Sequence, residues 1–280
     1  MLLSETWEKF ELDKKIEGYS PLTLKTYRIQ YQKLLSHFGD IDINLIQTEQ
    51  LKTYLLEAGG HLKPSSLGHR IRCIRSLFKW AFDEGLIEKN TAMKLKEPKD
   101  GRRIPKFLSE IEIEYLREAC QSPAENALFE FFYSTGCRIG EVVKLNREDI
   151  NFYSNAVIVQ GKGNKEREVY FNTRCSLWLK RYLEERTDSN PCLFLTERRP
   201  QKRMSIDLIR YIIKRISSRA GINKTIHPHQ LRHSYATHMI NNGAPIDVIQ
   251  SLLGHEKSET TKVYAQLSGK LRQDFYTKYF

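Results

Sequence analysis

Residues 156–171 read Ala-Val-Ile-Val-Gln-Gly-Lys-Gly-Asn-Lys-Glu-Arg-Glu-Val-Tyr-Phe, and this stretch decides the fold class. Two short β-type runs, 156–159 and 168–171, flank Gly161-Lys162-Gly163-Asn164, a sequence typical of a hairpin turn. On both sides of this stretch, apolar residues recur at helical spacing. We therefore predict a mainly α protein that carries one small antiparallel β-sheet.

The helices are predicted from apolar spacing and from residues that favour helix starts. Ser4 and Ser20 precede two of them as caps, and Pro21 and Pro64 suit a first helical turn. The first hundred residues then contain four helices, predicted at 4–17, 21–38, 48–57 and from Pro64 onward. Later helices are predicted at 109–120, 124–135, 138–145, 173–185, 205–220, 228–241, 245–253, 260–267 and 270–279.

The segment 97–105, Glu-Pro-Lys-Asp-Gly-Arg-Arg-Ile-Pro, combines prolines, a glycine and dense charge, as linkers do. A chain of 280 residues also exceeds the usual size of a single domain. We therefore predict a helical domain at 1–97, a linker at 98–106, and a mixed, mostly α domain with the sheet at 107–280.

The charge balance predicts a polyanionic partner. The formal net charge is +11, and it is uneven: residues 1–100 hold 16 Lys and Arg against 14 Asp and Glu, whereas residues 101–280 hold 29 against 20. Such a balance favours nucleic acid or an acidic membrane surface. The early charges of the N-terminus and the lack of a long apolar run argue against a signal peptide or a membrane span. The five cysteines form no CxxC pair and are expected to be reduced, so we expect a cytoplasmic protein.

Two basic stretches are candidate DNA contacts. In the helix after Pro64, apolar residues recur at 67, 71, 74, 78 and 81, and no acid occurs before Asp83. A solvated helix face remains the alternative, but ordinary surface helices mix both charge signs. The candidate contacts on this helix are Lys63, Arg70, Arg72, Arg75 and Lys79. A second set, Arg198, Arg199, Lys202 and Arg203, lies in a predicted loop.

Several short fragments carry residues suited to phosphate chemistry. Arg138 precedes Glu141 by one helical turn, so a carboxylate can orient its two-pronged guanidinium. Lys162 lies in the predicted hairpin turn. His229 and Arg232 are three residues apart near a helix start, a position that favours anions. Taken singly, each fragment is also compatible with an ordinary surface ion pair or a solvated side chain.

Two further fragments follow near the C-terminus. His255 ends Leu-Leu-Gly-His at 252–255, and Tyr264 comes nine residues later. Zinc is an alternative reading of the histidines at 227, 229, 233 and 238, but the stretch contains no HExxH and no neighbouring carboxylate.

In this order and spacing, the fragments resemble the tyrosine recombinase (phage integrase) family, most closely its compact Xer-type members. The resemblance covers essentially the whole chain. The family's catalytic positions fall on Arg138, Lys162, His229, Arg232, His255 and Tyr264. The chain departs from the family at Gly140, where serine is common, and at Glu256, where small or polar residues are usual. Lys165 is an alternative to Lys162.

The resemblance implies a helical SAM-like core-binding domain followed by the catalytic domain. It also implies an enzyme that cleaves and rejoins duplex DNA through a 3′-phosphotyrosine intermediate, with Tyr264 as nucleophile and no metal or other cofactor. Arg138, Arg232, His229 and His255 would surround the phosphate, with His229 as a candidate base. Lys162 would protonate the leaving 5′-oxygen.

The implied partner is double-stranded DNA with a specific recombination site, and no membrane is involved. Family members act as tetramers on paired sites, so a homo-tetramer or a hetero-tetramer with a related recombinase is expected. An apolar stripe at Leu271, Phe275 and Tyr279 suits a C-terminal helix docked either in a neighbour or on its own domain.

Several functions remain open at this point. Xer-like resolution of chromosome or plasmid dimers and mobile-element integration or excision share the same chemistry. A type IB topoisomerase would relax a plasmid that lacks any specific site. A catalytically silent DNA-binding regulator would form no covalent complex, and a metal-dependent nuclease would be stopped by a chelator.

Overall fold

The computed structural model describes residues 1–99, 107–161, 163, 165–224 and 226–254. The chain divides into two compact units, residues 1–102 and 103–280, and each is described by itself below. Within the described residues, no helix combines the length and the apolar character needed to cross a membrane. All five cysteines are free thiols, and four of them are buried.

In its described residues, 1–99, the first unit contains four helices and a short 3-10 turn at Ile43–Leu45. The helices are α1 (Leu3–Ile16), α2 (Pro21–Phe38), α3 (Thr48–Gly59) and α4 (Pro64–Asp83). The predicted cap of α2 is confirmed, because the Ser20 hydroxyl oxygen accepts a hydrogen bond from the Thr23 N–H. The predicted cap of α1 is wrong: the helix begins before Ser4, whose N–H and hydroxyl both donate to Asp40.

The core of this unit is built largely on α4. The predicted apolar stripe is confirmed, since Ile71, Ile74, Phe78 and Ala81 are buried. They pack in one cluster with residues of α1, α2 and α3, among them Trp7, Phe10, Leu34 and Leu51. The α4 helix therefore has one face committed to the core and presents the opposite face to solvent.

The second unit is mostly helical and contains the sheet. Its helices are α5 (Glu110–Glu118), α6 (Pro123–Thr135), α7 (Ile139–Val142), α8 (Thr173–Glu184), α9 (Ile206–Arg219), α10 (Pro228–Asn241) and α11 (Ile246–Leu253). The α6 helix packs against α8 and α10. The α7 helix is shorter than the predicted helix at 138–145, and Arg138 is its N-cap residue. The helices predicted at 260–267 and 270–279 lie outside the described residues.

The sheet has three antiparallel strands in the order β1 (Ile150–Asn151), β2 (Ala156–Gln160) and β3 (Glu166–Tyr170). The predicted pairing of the two β-type runs is confirmed, with Val157 opposite Val169 and Val159 opposite Arg167. Strand β1 was not predicted, because two residues are too short to show alternation. The mainly α fold with a small antiparallel sheet is thus as predicted.

One apolar core joins the sheet to the helices of this unit. Phe131 and Phe132 of α6 are buried in the same cluster as Val157, Val159 and Leu179. A separate small cluster holds α11 against α10 through Ala236, Ile240, Ile249 and Leu253. The position of the C-terminal end of α11 is therefore set by apolar contacts with α10.

Candidate active site

The turn between α6 and α7 places Arg138. Gly136 ends α6 with a φ of 61°, in the left-handed region, and a Cβ there would lie 2.6 Å from Cδ1 of Tyr235. The buried carboxylate of Glu141 accepts the Arg138 backbone N–H at 2.7 Å and its Nη1 at 2.9 Å. The prediction that Glu141 orients Arg138 is therefore confirmed.

Three arginines meet at the C-terminal end of α11. Arg167 Nε donates to the Leu252 carbonyl at 2.8 Å, Arg232 Nη2 to the Leu253 carbonyl at 2.6 Å, and Arg138 Nη2 to the Gly254 carbonyl at 3.1 Å. The last carbonyls of a helix lack intrahelical partners and carry partial negative charge, so cations are favourable there. One helix end thus gathers guanidinium groups from β3, α10 and the start of α7.

Arg232 is the most buried of the three, with 4% of its surface exposed. Its Nη1 also donates to the Gly136 carbonyl at 2.7 Å, so the side chain joins the end of α6 to the end of α11. The structure therefore brings Arg138 and Arg232, which are 94 positions apart in sequence, to the same helix end.

His229 lies in the first turn of α10 and is exposed to solvent. Its pKa is nevertheless lowered, first by desolvation and then by the positive charges of Arg232, His227 and Arg138. The same causes lower the pKa of His233 to about 4, with desolvation again the largest and His229 and Arg232 next. Both imidazoles are therefore neutral near pH 7, in a cluster dominated by arginine charge.

Arg167 belongs to the same cluster, although its sequence context did not single it out. Its two terminal nitrogens donate to the two oxygens of Glu141, each at 2.8 Å. A signal was present in the sequence: Arg167 is two residues before the buried Val169 on β3, so strand alternation places it on the inward face. Inward-facing arginines are uncommon unless they are paired.

The other three predicted catalytic residues, Lys162, His255 and Tyr264, lie outside the described residues, and their roles stay predictions. The residue before Lys162 is described: a Cβ on Gly161 would lie 3.6 Å from Glu141 Oε1 and 3.7 Å from Arg167 Nη1. His255 directly follows Gly254, whose carbonyl Arg138 binds. The described residues directly before Lys162 and His255, Gly161 and Gly254, therefore both lie at the arginine cluster.

The four clustered histidines have different surroundings. His238 Nε2 donates to the Leu108 carbonyl at 2.9 Å, and its Nδ1 accepts from the Tyr133 hydroxyl at 2.8 Å. His227 Nδ1 caps α10 by accepting the Gln230 N–H. In the described part of the chain, no three His, Cys, Asp or Glu side chains converge as metal ligands do.

The cationic face predicted on α4 is only partly as expected. Lys63, Arg72, Arg75 and Lys79 are exposed, but Arg70 is buried and donates to Gln30 and to the Ala58 carbonyl. Arg70 is therefore wrong as a surface contact, because its spacing from the core residues of α4 points it inward. The groove beside α4 has a volume of about 1000 Å³ and also contains acids, Asp83, Glu88 and Glu97, the last paired with Arg72.

The second basic stretch is also divided. Arg198, Arg199 and Lys202 are exposed and line a depression of about 580 Å³. Arg203 instead turns inward: its Nη1 donates to the carbonyls of Val143 and Leu145, and its Nη2 to Asn146. The expectation of a surface contact at Arg203 is wrong, because its guanidinium holds the segment after α7.

Comparison with known proteins defines the class. The phage integrase family model matches residues 106–270, and the model of the phage integrase N-terminal SAM-like domain matches residues 12–85. The chain belongs to the phage integrase family, whose members are tyrosine recombinases that catalyse DNA cleavage and strand exchange. Its function is accordingly site-specific recombination, of the Xer-like or mobile-element type.

Individual relatives agree with this class. The chain is 32% identical over 283 residues to the tyrosine recombinase XerC of Staphylococcus aureus (strain MRSA252), which covers 96% of this chain and 94% of the relative. The crystal structure of XerA recombinase is 28% identical, with a TM-score of 0.58 over 99% of this chain and 98% of the other. The structure of XerH bound to a palindromic difH substrate is 20% identical with a TM-score of 0.77, over 94% and 82% of the two chains, and shows the shared fold.

Proposed function

We propose that Arg138, Arg232 and His229 bind the scissile phosphate of duplex DNA. The observation that carries this proposal is the convergence of Arg138, Arg167 and Arg232 on the carbonyl end of α11, beside the buried carboxylate of Glu141. Donors held in place before the reaction stabilise the negative charge that develops on phosphate oxygens during attack. Of these three arginines, Arg138 has the most exposed side chain, at 35%, which suits direct contact with the phosphate.

Tyr264 is the proposed nucleophile, from its place in the family motif. Its hydroxyl oxygen attacks phosphorus, the bond to the 5′-oxygen breaks, and a 3′-phosphotyrosine forms. Lys162 donates the proton that the leaving 5′-oxygen needs. The 5′-hydroxyl of a partner strand then attacks the same phosphorus and releases Tyr264, so the phosphodiester is restored without input of energy.

His229 is the proposed base that accepts the tyrosine proton. A tyrosine hydroxyl has an ordinary pKa near 10 and is a weak nucleophile until a base takes its proton. The lowered pKa of His229, caused by desolvation and by the nearby arginine charge, keeps the imidazole neutral and able to accept. His255 completes the proposed phosphate site.

Two basic surfaces are proposed to bind the DNA backbone. In the domain at 1–97 these are Lys63, Arg72, Arg75 and Lys79, and in the domain at 107–280 they are Arg198, Arg199 and Lys202, with the linker at 98–106 between the domains. Contacts of this kind are mostly to phosphates and position the protein on the duplex. Base contacts that select the recombination site are a separate matter.

The proposed role is the Xer-like one, resolution of chromosome or plasmid dimers, in preference to mobile-element integration. Its support is the similarity to XerC over 96% of this chain. A tetramer on two paired sites, made of this chain alone or with a related recombinase, would carry out the exchange. The proposed location is the cytoplasm, together with the chromosome or plasmid DNA on which the enzyme would act.

The test captures the covalent intermediate. Half-site duplexes with randomised sequence and a nick near the cleavage position are incubated with protein in the presence of a chelator. Bound duplexes that survive SDS are then amplified and sequenced. We expect wild type to enrich one sequence and to form an SDS-stable complex, and Tyr264→Phe to form none.

Two outcomes would contradict the proposal. A complex that persists in Tyr264→Phe would mean that another residue is the nucleophile. Relaxation of supercoiled plasmid that carries no enriched sequence would mean that the enzyme acts as a topoisomerase.

A further inference from the structure

Arg167 and Arg138 both donate hydrogen bonds to the carboxylate of Glu141. Glu141 Oε1 accepts Arg138 Nη1 at 2.9 Å and Arg167 Nη1 at 2.8 Å, while Oε2 accepts the Arg138 N–H at 2.7 Å and Arg167 Nη2 at 2.8 Å. Each carboxylate oxygen therefore accepts one hydrogen bond from Arg138 and one from Arg167. The carboxylate cannot rotate toward the Arg138 guanidinium without breaking its two hydrogen bonds with the terminal nitrogens of Arg167.

The charge balance at this point depends on Arg167. Glu141 has 3% of its side chain exposed and Arg167 has 12%, so the pair is largely shielded from solvent. Burial alone would raise the pKa of Glu141, but the hydrogen bonds and charge of Arg167, together with those of Arg138, lower it below the usual value. With Arg167 present, the group of Arg138, Arg167 and Glu141 keeps a net charge of +1. Without it, Arg138 and Glu141 would form a neutral pair.

Arg167 also fixes the helix end that Arg138 contacts. Its Nε binds the Leu252 carbonyl, and its Cδ would lie 2.9 Å from a Cβ on Gly254. Gly254 has a φ of 62°, so the backbone turns there against the aliphatic part of Arg167. The carbonyl of this same residue accepts Arg138 Nη2. Arg167 therefore binds one of the groups that hold the Arg138 guanidinium, the Glu141 carboxylate, and lies beside the residue that supplies the other, Gly254.

We propose that Arg167 is a positioning residue for phosphate transfer: it neutralises Glu141 and anchors the end of α11, so that the charge of Arg138 is available to the scissile phosphate. This inference rests on the proposed phosphate-binding role of Arg138. Arg167 itself need not touch DNA, because it acts through Glu141 and the α11 carbonyls.

The alternative is that Arg167 only stabilises the fold by tying β3 to α7. A matched pair elsewhere in the same unit separates the two roles. Arg117 donates through Nε and Nη2 to the buried carboxylate of Glu130, in a fork of the same kind. Arg117→Gln therefore removes a comparable buried ion pair but does not alter the arginine cluster.

The experiment measures single-turnover cleavage of the enriched half-site duplex, the Kd for the same duplex and the Tm of each variant. Cleavage is recorded at saturating protein and well below every Tm. The variants are Arg167→Gln, the double variant Glu141→Gln with Arg167→Gln, Arg117→Gln and Arg138→Ala. The double variant removes the acid that Arg167 neutralises, so it tests the charge argument directly.

We expect Arg167→Gln to slow cleavage by about 30-fold, less than the roughly 100- to 1000-fold found when a transition-state donor itself is lost, because Arg167 acts through Arg138. The Kd should change by less than about threefold. The double variant is expected to recover the part of the rate that is lost when Glu141 neutralises Arg138, but not the part that depends on the contact of Arg167 with α11. Arg117→Gln should lower the Tm and leave the rate unchanged. If Arg167→Gln does not fold, Arg167→Lys, which keeps the charge but not the fork, should show a smaller loss of rate.

Two results overturn the inference: an unchanged cleavage rate in Arg167→Gln or Arg167→Lys with only a lower Tm, or a double variant no faster than Arg167→Gln. Arg138→Ala separates these from failure of the proposed function. Normal cleavage by Arg138→Ala contradicts the proposed function itself. Impaired cleavage by Arg138→Ala combined with normal cleavage by Arg167→Gln contradicts only the inference.

Discussion

Gly136 combines a left-handed backbone with close packing under Tyr235. A Cβ at this position would lie 2.6 Å from the Tyr235 ring and 3.1 Å from Cδ2 of Leu253. We expect Gly136→Ala to lower the free energy of unfolding by more than the roughly 1–2 kcal/mol that left-handed strain costs, because the added methyl group also overpacks the site. Chemical denaturation measures the difference.

Gly221→Ala is the matched control for Gly136→Ala. Gly221 has a φ of 65°, close to the 61° of Gly136, but no atom of the described residues lies within 4 Å of the position that a Cβ would take there. It therefore carries the backbone strain without the overpacking. Equal losses in the two variants would show that Tyr235 moves aside freely. In Gly136→Ala we also expect slower DNA cleavage, since the Gly136 carbonyl holds Arg232.

His233 makes stability depend on pH. Its pKa falls from 6.5 to about 4 on folding, through desolvation first and then the charges of His229, Arg232 and His227. The unfolded chain therefore binds a proton at higher pH than the folded chain does, and the free energy of unfolding decreases as pH falls from about 6.5 to 4. His229 and His238, whose pKa values are also lowered, add to the same trend.

Replacing His233 by Asn should remove part of this dependence. The pKa difference corresponds to at most roughly 3 kcal/mol lost between neutral pH and pH 4. Denaturant unfolding of wild type and His233→Asn across this range measures the change in slope. The variant should follow a shallower curve, and curves that remain parallel down to pH 4 would contradict the assignment.

At the scale of elements, α4 combines core and surface roles on opposite faces. Arg75 and Lys79 are exposed, whereas Arg72 is exposed but paired with Glu97. If Arg75 contacts one phosphate, Arg75→Ala should reduce the slope of log Kobs against log salt by about 0.9 and weaken binding of any duplex sequence. Fluorescence anisotropy over a range of salt concentrations measures both effects.

Two controls bracket the Arg75 result. Lys52 on α3 is exposed and paired with Glu49, so Lys52→Ala tests loss of a charge outside the proposed surface. Arg70→Ala should instead lower the Tm, because it removes the donors to Gln30 and the Ala58 carbonyl. A salt slope unaffected by Arg75→Ala would show that this face of α4 does not meet DNA.

The elements that the sequence predicts well are those whose signals are local. Ser20 and Ser109 cap helices that begin at the next residue, and the stripe of α4 is read from spacing alone. The prediction of Ser4 as a cap was wrong because Asp40, 36 positions away, accepts hydrogen bonds from its hydroxyl and its N–H. Strand β1 has two residues and leaves no pattern to read.

The site was predictable only in part. Arg138, Arg232 and Glu141 follow from their motifs, but the backbone carbonyls at the end of α11 have no side-chain signature. Arg167 and Arg70 both had a readable signal, since one alternates with Val169 on β3 and the other is four residues from Ile74 on α4. For Arg70, charge suggested the surface while periodicity indicated the interior, and for Arg167 the alternation of the strand was the signal that was missed.

For the whole molecule, the two compact units have separate cores. Phe78 is buried in the cluster of the first unit and Phe132 in that of the second. Units with their own cores usually unfold as separate cooperative transitions. The charge excess of +11 lies mostly in the second part of the chain, yet exposed basic residues occur in both units. The proposed DNA contacts of both units use these exposed basic residues.

Calorimetry of core variants tests this organisation. Phe78→Ala and Phe132→Ala each remove a fully buried ring and should cost about 3–5 kcal/mol in their own unit. We expect each variant to lower the Tm of one transition and leave the other in place. Because a ligand that binds only the folded state raises its stability, the enriched duplex should raise both transitions of wild type. A duplex that raises only the transition sensitive to Phe132→Ala would show that the first unit does not bind DNA, and the proposed DNA contacts on α4 would be wrong.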